Sequence, residues 1–169
     1  TTGKVGQTMT FDGTDDYVLL TFDQEEVWPA YAVSLWTRTD IFGQVQYRSV
    51  FNNSSSDPDF QIDVDGSDPG VYRYWGTQAG ATLGPVTSDW VHLAASCDGT
   101  ETKVYYNGLL VDTLDAVDTN FGRLGIGTNR GTNQPFAGSI DEVRVYNRGL
   151  SDAEIAGLAG LTEPIPVSF

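Results

Sequence analysis

Short apolar runs recur along this chain, many of them alternating apolar and polar residues, and each is closed by a turn signal. Alternation with period two buries one face of a strand, whereas an amphipathic helix would repeat every 3.6 residues. The pattern predicts strands near Thr8–Phe11, Tyr17–Leu20, Ala32–Thr39, Arg48–Phe51, Phe60–Val64, Val71–Trp75, Trp90–Ser96, Lys103–Tyr106, Leu109–Thr113, Arg123–Gly127 and Ser139–Tyr146. DGTDD, DVDGSDPG, CDGTET and NRGTNQPF punctuate them. In YYNGLLVD, Asn107-Gly108 supplies the two positive-φ residues of a type I′ hairpin. Many short, evenly spaced strands predict an all-β fold, a two-sheet antiparallel β-sandwich of the jelly-roll kind.

One helix signal stands out. Ser151 is an N-cap residue and Glu154, three positions on, completes a capping box, so a helix of about two turns is expected up to Ala159 or Gly160. LTEPIPVSF then carries two prolines and no partner pattern. It reads as the start of a linker over 161–169, after one domain over 1–160.

Composition narrows the function classes. A chain of 169 residues suits one domain with its own core. Nine Lys and Arg against 23 Asp and Glu give a net charge of −14, which repels nucleic acid and anionic membranes. Such charge suits a soluble exported protein or one that collects Ca²⁺. No apolar run approaches the roughly 20 residues of a membrane span. The opening TTGKVGQ shows no signal-peptide pattern and is expected to begin an excised domain. Cys97 and His92 are the only residues of their kinds, so no internal disulfide and no zinc site of three or four N/S ligands can form. The two are five apart on one strand and face opposite sides, which disfavours a dyad.

Four blocks, FDGTDDYVLL (Phe11–Leu20), YAVSLWTRTD (Tyr31–Asp40), DWVHLAASCDGTETKVYYNGLLV (Asp89–Val111) and FAGSIDEVRVYNRGLSDAEI (Phe136–Ile155), occur in that order. Together they resemble the laminin-G-like jelly rolls of the concanavalin-A-like lectin/glucanase superfamily. The resemblance implies two antiparallel sheets stacked face to face, and use in secreted or cell-surface multidomain proteins that bind glycans or proteins. It also implies a structural Ca²⁺. Gln44–Val86 is the least family-like stretch, and ligand-reading loops are expected there.

The same superfamily contains glycoside hydrolases whose strand motif carries two Glu, nucleophile and acid. Here the corresponding stretch is FQIDVDGSD, with Gln61 in the nucleophile position, Asp63 as the middle Asp and Asp65 in the turn beyond. An amide cannot form the glycosyl ester, so catalysis of this type is not expected. The sequence contains no G-x-S-x-G, phosphate-binding loop or dinucleotide fingerprint.

For Ca²⁺, the resemblance implies Asp12, Gly13 and Asp141 brought together from the two ends of the chain. Those carboxylates also have an ordinary use: Asp12 can cap its own turn and Asp141 can accept backbone N–H groups. A second acidic set, Asp57, Asp59, Asp63, Asp65 and Asp68, lacks the EF-hand glycine and reads as solvated. Asp112, Asp115 and Asp118 read as a surface connection after a hairpin strand.

Strand alternation sorts the variable region. Phe60, Ile62, Val64, Tyr72 and Tyr74 face the core, which sends Gln61, Asp63, Arg73 and Trp75 to one outer face if the two strands pair. Tyr47, Asn52 and Asn53 extend this set along the adjacent loop. A flat aromatic beside planar amide, carboxylate and guanidinium groups suits a sugar, whose apolar ring face stacks while its hydroxyls pair. Asp63 and Arg73 equally suit a cross-strand ion pair. Trp28 and Tyr31 form a further exposed aromatic candidate, and Trp36 and Trp90 read as core. N-x-S sequons at Asn52 and Asn53 matter only in a eukaryotic secretory pathway. The expectation is a non-catalytic binding module for an extracellular polysaccharide or glycan, without nucleic acid or membrane insertion. The alternatives are a protein-interaction or spacer module of an adhesin, and a divergent glycosidase.

Overall fold

The computed structural model describes residues 2–22, 26–44, 47–53, 59–77, 79–129 and 131–161. Its strands in chain order are β1 Met9–Asp12, β2 Val18–Thr21, β3 Val27–Trp28, β4 Tyr31–Arg38, β5 Ser49–Asn52, β6 Phe60–Val64, β7 Val71–Gly76, β8 Ala79–Pro85, β9 Val91–Cys97, β10 Glu101–Tyr106, β11 Leu109–Asp115, β12 Thr119–Asn120, β13 Arg123–Ile126 and β14 Ala137–Tyr146. One helix follows, α1 Asp152–Leu158. Two six-stranded sheets are ordered β1-β14-β4-β9-β10-β11 and β2-β13-β5-β6-β7-β8, with β12-β3 as a small third sheet. Every recorded pairing is antiparallel, as a sandwich requires.

The core lies between the two large sheets. Alternate residues such as Val33 and Leu35, Leu93 and Ala95, Phe60 and Ile62, and Tyr72 and Tyr74 meet there, all within 1% of full burial. In β14 the alternation would fail after Ile140. A register shift between Asp141 and Arg144, with Glu142 at φ 51, resets it so that Val143 and Val145 return to the core side. That is the action of a β-bulge. The Asn107-Gly108 turn has φ 51 and 78, as a type I′ hairpin needs. Ser151 accepts from the Glu154 N–H and Glu154 accepts from the Ser151 N–H, completing the capping box.

Several elements differ from the sequence expectation. β3 and β12 are two residues each, too short to leave a periodic signal. β8 lies outside the strands that the pattern predicts, because its glycines and Pro85 hide a real alternation, Ala81 and Leu83 inward. Its ladder forms on the free edge of β7. β11 runs on to Asp115 through what reads as a surface connection. Tyr31 is fully buried between the sheets, edge-on to Phe60 and Phe121, and is no exposed platform. Trp36 is buried but on the outer side of the first sheet, with the Lys4 ammonium 3.9 Å from its ring centroid, so it is not part of the core between the sheets. Trp90 is half-buried beneath Arg38. Residues 162–169 of the linker expected over 161–169, and Asp57 of the second acidic set, lie outside the described residues.

Candidate functional site

Antiparallel pairing of β6 and β7 sets Gln61 opposite Trp75 and Asp63 opposite Arg73. On the other side of β6, Asn52 stands opposite Gln61 and Ser49 opposite Asp63. These residues share the outer face of the second sheet, as strand alternation predicts. Much of this face is nevertheless closed to solvent: Asn52, Asn53 and Asp63 are fully buried and Gln61 is 8% exposed, while Arg73 and Trp75 are half-buried. Cover comes from the connection after β13, where the Asn52 amide donates to the Thr128 carbonyl. Burial at 0% also takes both sequon asparagines away from any modifying enzyme in the folded chain.

The side chains still accessible on this face line a cavity of about 380 Å³ formed by Tyr47, Gln61, Arg73, Trp75, Asn129 and Gln134. Arg73 is its centre. Its Nε and one terminal nitrogen donate to the two Asp63 oxygens at 3.2 and 3.0 Å. Its guanidinium carbon lies 5.2 Å from the Tyr47 ring centroid and 5.1 Å from that of Trp75. One cation is therefore held by a carboxylate and two rings at once. Burial pushes the Asp63 carboxyl up to about 6, although Arg73 pulls it down.

Two glycines make room for the rings. A methyl group at Gly66 would stand 2.4 Å from Tyr47 Cζ, and one at Gly80 would stand 2.6 Å from Trp75 Cε3. Tyr47 also has φ 62, uncommon outside glycine and costly for a bulky residue. The backbone holds this conformation where the side chain reaches the cavity.

The amides are oriented by their neighbours. Gln61 Nε2 donates to Asp59 at 2.9 Å. Asn129 Nδ2 donates to Gln134 Oε1 at 2.5 Å, while Asn129 Oδ1 accepts the Asn133 N–H at 3.2 Å. Asn129 and Gln134 were absent from the sequence expectation. They sit in NRGTNQPF, which reads only as turn punctuation, and no local pattern ties that turn to β6 and β7.

The expected calcium set is not brought together. In the β1–β14 ladder Asp12 pairs with Ala137, four residues before Asp141, a separation of about 13 Å along a strand. Asp141 instead accepts the Val5 N–H at 3.0 Å and the Glu142 N–H at 2.9 Å, tying the last strand to the opening segment. Asp12 caps its turn through the Thr14 N–H at 2.7 Å, and the Gly13 carbonyl accepts from Arg48 at 2.7 Å. The carboxylates of Asp12, Asp15 and Asp16, all exposed, each place an oxygen within 4.8 Å of the others. Asp65 and Asp68 cap the turn between β6 and β7.

The other titratable singletons are packed. His92 Nε2 shares a 2.8 Å hydrogen bond with Ser34, and its ring meets Trp36 edge-on. Burial, reinforced by Arg144 and Lys4, lowers its pKa to about 4. Cys97 faces the core, away from His92, with its thiol donating to the Pro29 carbonyl.

Compared with known proteins, a model described as the concanavalin A-like lectin/glucanases superfamily matches residues 12–156. No curated protein matches the chain. Among solved structures it is similar to domain 4 of AbnA, a GH43 extracellular arabinanase from Geobacillus stearothermophilus, in complex with arabinotriose. The TM-score is 0.74 at 24% identity, over 94% of this chain and 79% of that one. The receptor binding domain of botulinum neurotoxin D gives a TM-score of 0.70 at 13% identity, over 92% of this chain and 44% of that one. A heptameric SAP-like pentraxin from Limulus polyphemus gives 0.62 at 13% identity, over 89% and 80% respectively. At these identities the likeness establishes the fold.

Proposed function

The chain belongs to the concanavalin A-like lectin/glucanase superfamily, and on that premise we propose that it is a non-catalytic module binding an extracellular polysaccharide or glycan through the Tyr47–Trp75 cavity. The observation that carries this is the lining itself. Two aromatic rings and three planar amides converge with one guanidinium on a cavity of about 380 Å³. Rings stack on the apolar face of a sugar, and amides pair with hydroxyls in both directions. The AbnA domain, solved with arabinotriose, shows the same fold used beside a sugar and belongs to an extracellular enzyme. A net charge of −14 agrees with a secreted or cell-surface setting.

The non-catalytic part rests on the chemistry of β6. Gln61 stands in the nucleophile position, and its amide is bonded to Asp59. Asp63 is engaged by Arg73 through both oxygens. Titration calorimetry against neutral and acidic oligosaccharides tests the binding. Trp75→Ala is expected to weaken it about tenfold through lost stacking. Equal binding by Trp75→Ala would sink the proposal, and turnover of a β-glucan or agar oligosaccharide would overturn its non-catalytic part.

Calcium enters the proposal at Asp12, Asp15 and Asp16 in place of the set with Asp141. Three carboxylates this close fit a hard cation, because each keeps lone pairs beyond those that accept N–H groups. Added Ca²⁺ is expected to raise the melting temperature and Asp16→Asn to remove the gain. A melting curve indifferent to both Ca²⁺ and EDTA ends this part.

A protein-interaction or spacer role in an adhesin has separate support. The edge strand β11 exposes Leu109, Leu110 and Val111 at 66, 48 and 43%. Apolar residues on a free edge suit contact with another surface. That reading takes over if no glycan binds.

A further inference from the structure

We infer that the cavity selects uncharged, hydroxyl-rich sugars and excludes uronates and sulfated sugars, with Gln61 Oε1 accepting a hydroxyl of the ligand. The inference rests on the glycan reading above and names the class of glycan.

The cavity contains a cation, which at first suggests an anionic ligand. That charge is already paired with Asp63. Asp63 takes two donors of Arg73, and the Asp63 side chain is fully buried while that of Arg73 is 18% exposed. To pair with a ligand carboxylate, Arg73 would have to share its charge with a carboxylate that cannot leave. A second anion at the same guanidinium meets Asp63 at close range in a partly dry site, where like charges repel strongly. The two rings beside Arg73 also restrict it to its present place.

The amides add a directional argument. Gln61 donates one Nε2 hydrogen to Asp59, and its Oε1 has no partner among the described residues. Gln134 accepts from Asn129 through Oε1, which leaves its Nε2 as a donor. The lining thus presents an acceptor at Gln61 and a donor at Gln134. A sugar hydroxyl serves both, since it donates and accepts. A carboxylate or sulfate only accepts, so it leaves the Gln61 carbonyl unpaired and faces its negative end. At longer range, 23 acidic against nine basic residues repel a polyanion, most strongly at low salt.

The test is calorimetry at low and high salt with the wild-type protein. The probes are arabinotriose, xylotetraose and cellotetraose on one side, and trigalacturonate and a sulfated galactan oligosaccharide on the other. At least one neutral probe is expected to bind, with little change between the two salt conditions, and the acidic probes about tenfold or more weaker. Tighter binding of an acidic probe overturns the neutral preference and leaves the glycan reading standing. No binding by any probe overturns the glycan reading and this inference with it. Asp63→Asn sharpens the result, because it removes the competing carboxylate: the variant is expected to gain affinity for trigalacturonate that salt suppresses. A folded Asp63→Asn protein that still rejects trigalacturonate overturns the role given to Asp63. If that variant does not fold, the wild-type comparison decides alone.

Discussion

Both large sheets have their outer faces covered, but with a different balance of apolar and polar contact. On the first sheet α1 lays Ile155 over Ala32, Ala94, Tyr105 and Leu150, a mainly apolar cluster whose Tyr105 hydroxyl donates to Asp152 at the start of the helix. On the second sheet the covered residues are Asn52, Gln61 and Asp63, held by hydrogen bonds and one ion pair. Apolar cover demands only shape and contributes stability in proportion to area. Polar cover costs free energy at each unmatched atom, so every group needs a partner. A face that keeps such groups, and leaves Gln61 Oε1 open toward a cavity, is arranged for something besides holding the fold together. The difference separates a face built for stability from one available for recognition.

Substitutions separate the two faces. Ile155→Ala should cost the most, about 4 kcal/mol of unfolding free energy in urea titration, since Ile155 is fully buried in a close apolar contact. Glycan affinity should not change; a parallel loss would show that the two faces are coupled. Arg73→Ala should cost about 3 kcal/mol by leaving Asp63 buried without its partner, and should abolish binding as well. Loss of binding without loss of stability would mean that the ion pair does not hold the face.

Next in size is a pH effect that the two faces carry with opposite signs. Asp63 has a folded pKa raised from 3.8 to about 6, so the folded state holds the extra proton and stability falls as pH rises through that window. His92, under the first sheet's outer face, is lowered from 6.5 to about 4, so the unfolded state holds the extra proton and stability rises with pH. In the wild type the two slopes largely cancel. His92→Gln should uncover the Asp63 slope, a fall of about 2 kcal/mol between pH 4 and pH 6.5. A flat profile in that variant would contradict the burial given to Asp63. The smallest expected effect is that of Gly66→Ala. A methyl group 2.4 Å from Tyr47 Cζ must displace that ring, weakening glycan binding about tenfold while the melting temperature barely moves.

Much of this was readable in the residues. FQIDV and VYRYWG placed Gln61, Asp63, Arg73 and Trp75 on one face because side-chain direction alternates within a strand, and the β6–β7 register bears that out. Burial of that face was not readable, because its cover comes from the Thr128–Gln134 connection more than 60 positions away. Asp141 shows the same limit: its residue type suits both a metal and a pair of N–H groups, and the fold supplies Val5 and Glu142. β8 leaves no strand signal although Ala81 and Leu83 alternate, since glycine and proline around them lower any local strand preference.

The sequence alone determined what short-range chemistry can determine. Alternation, the Asn107-Gly108 turn and the Ser151–Glu154 box each involve residues only a few positions apart, and each is set by sterics and hydrogen bonds that the local chain already contains. The tertiary structure decided which buried polar groups are paired and which remain open. That follows from contacts between segments such as Gln61 with Trp75 and Asn129 with the sheet, whose meeting depends on packing the whole core. A residue's chemistry sets what it can bind, and burial and neighbours set which of its atoms are left to do so.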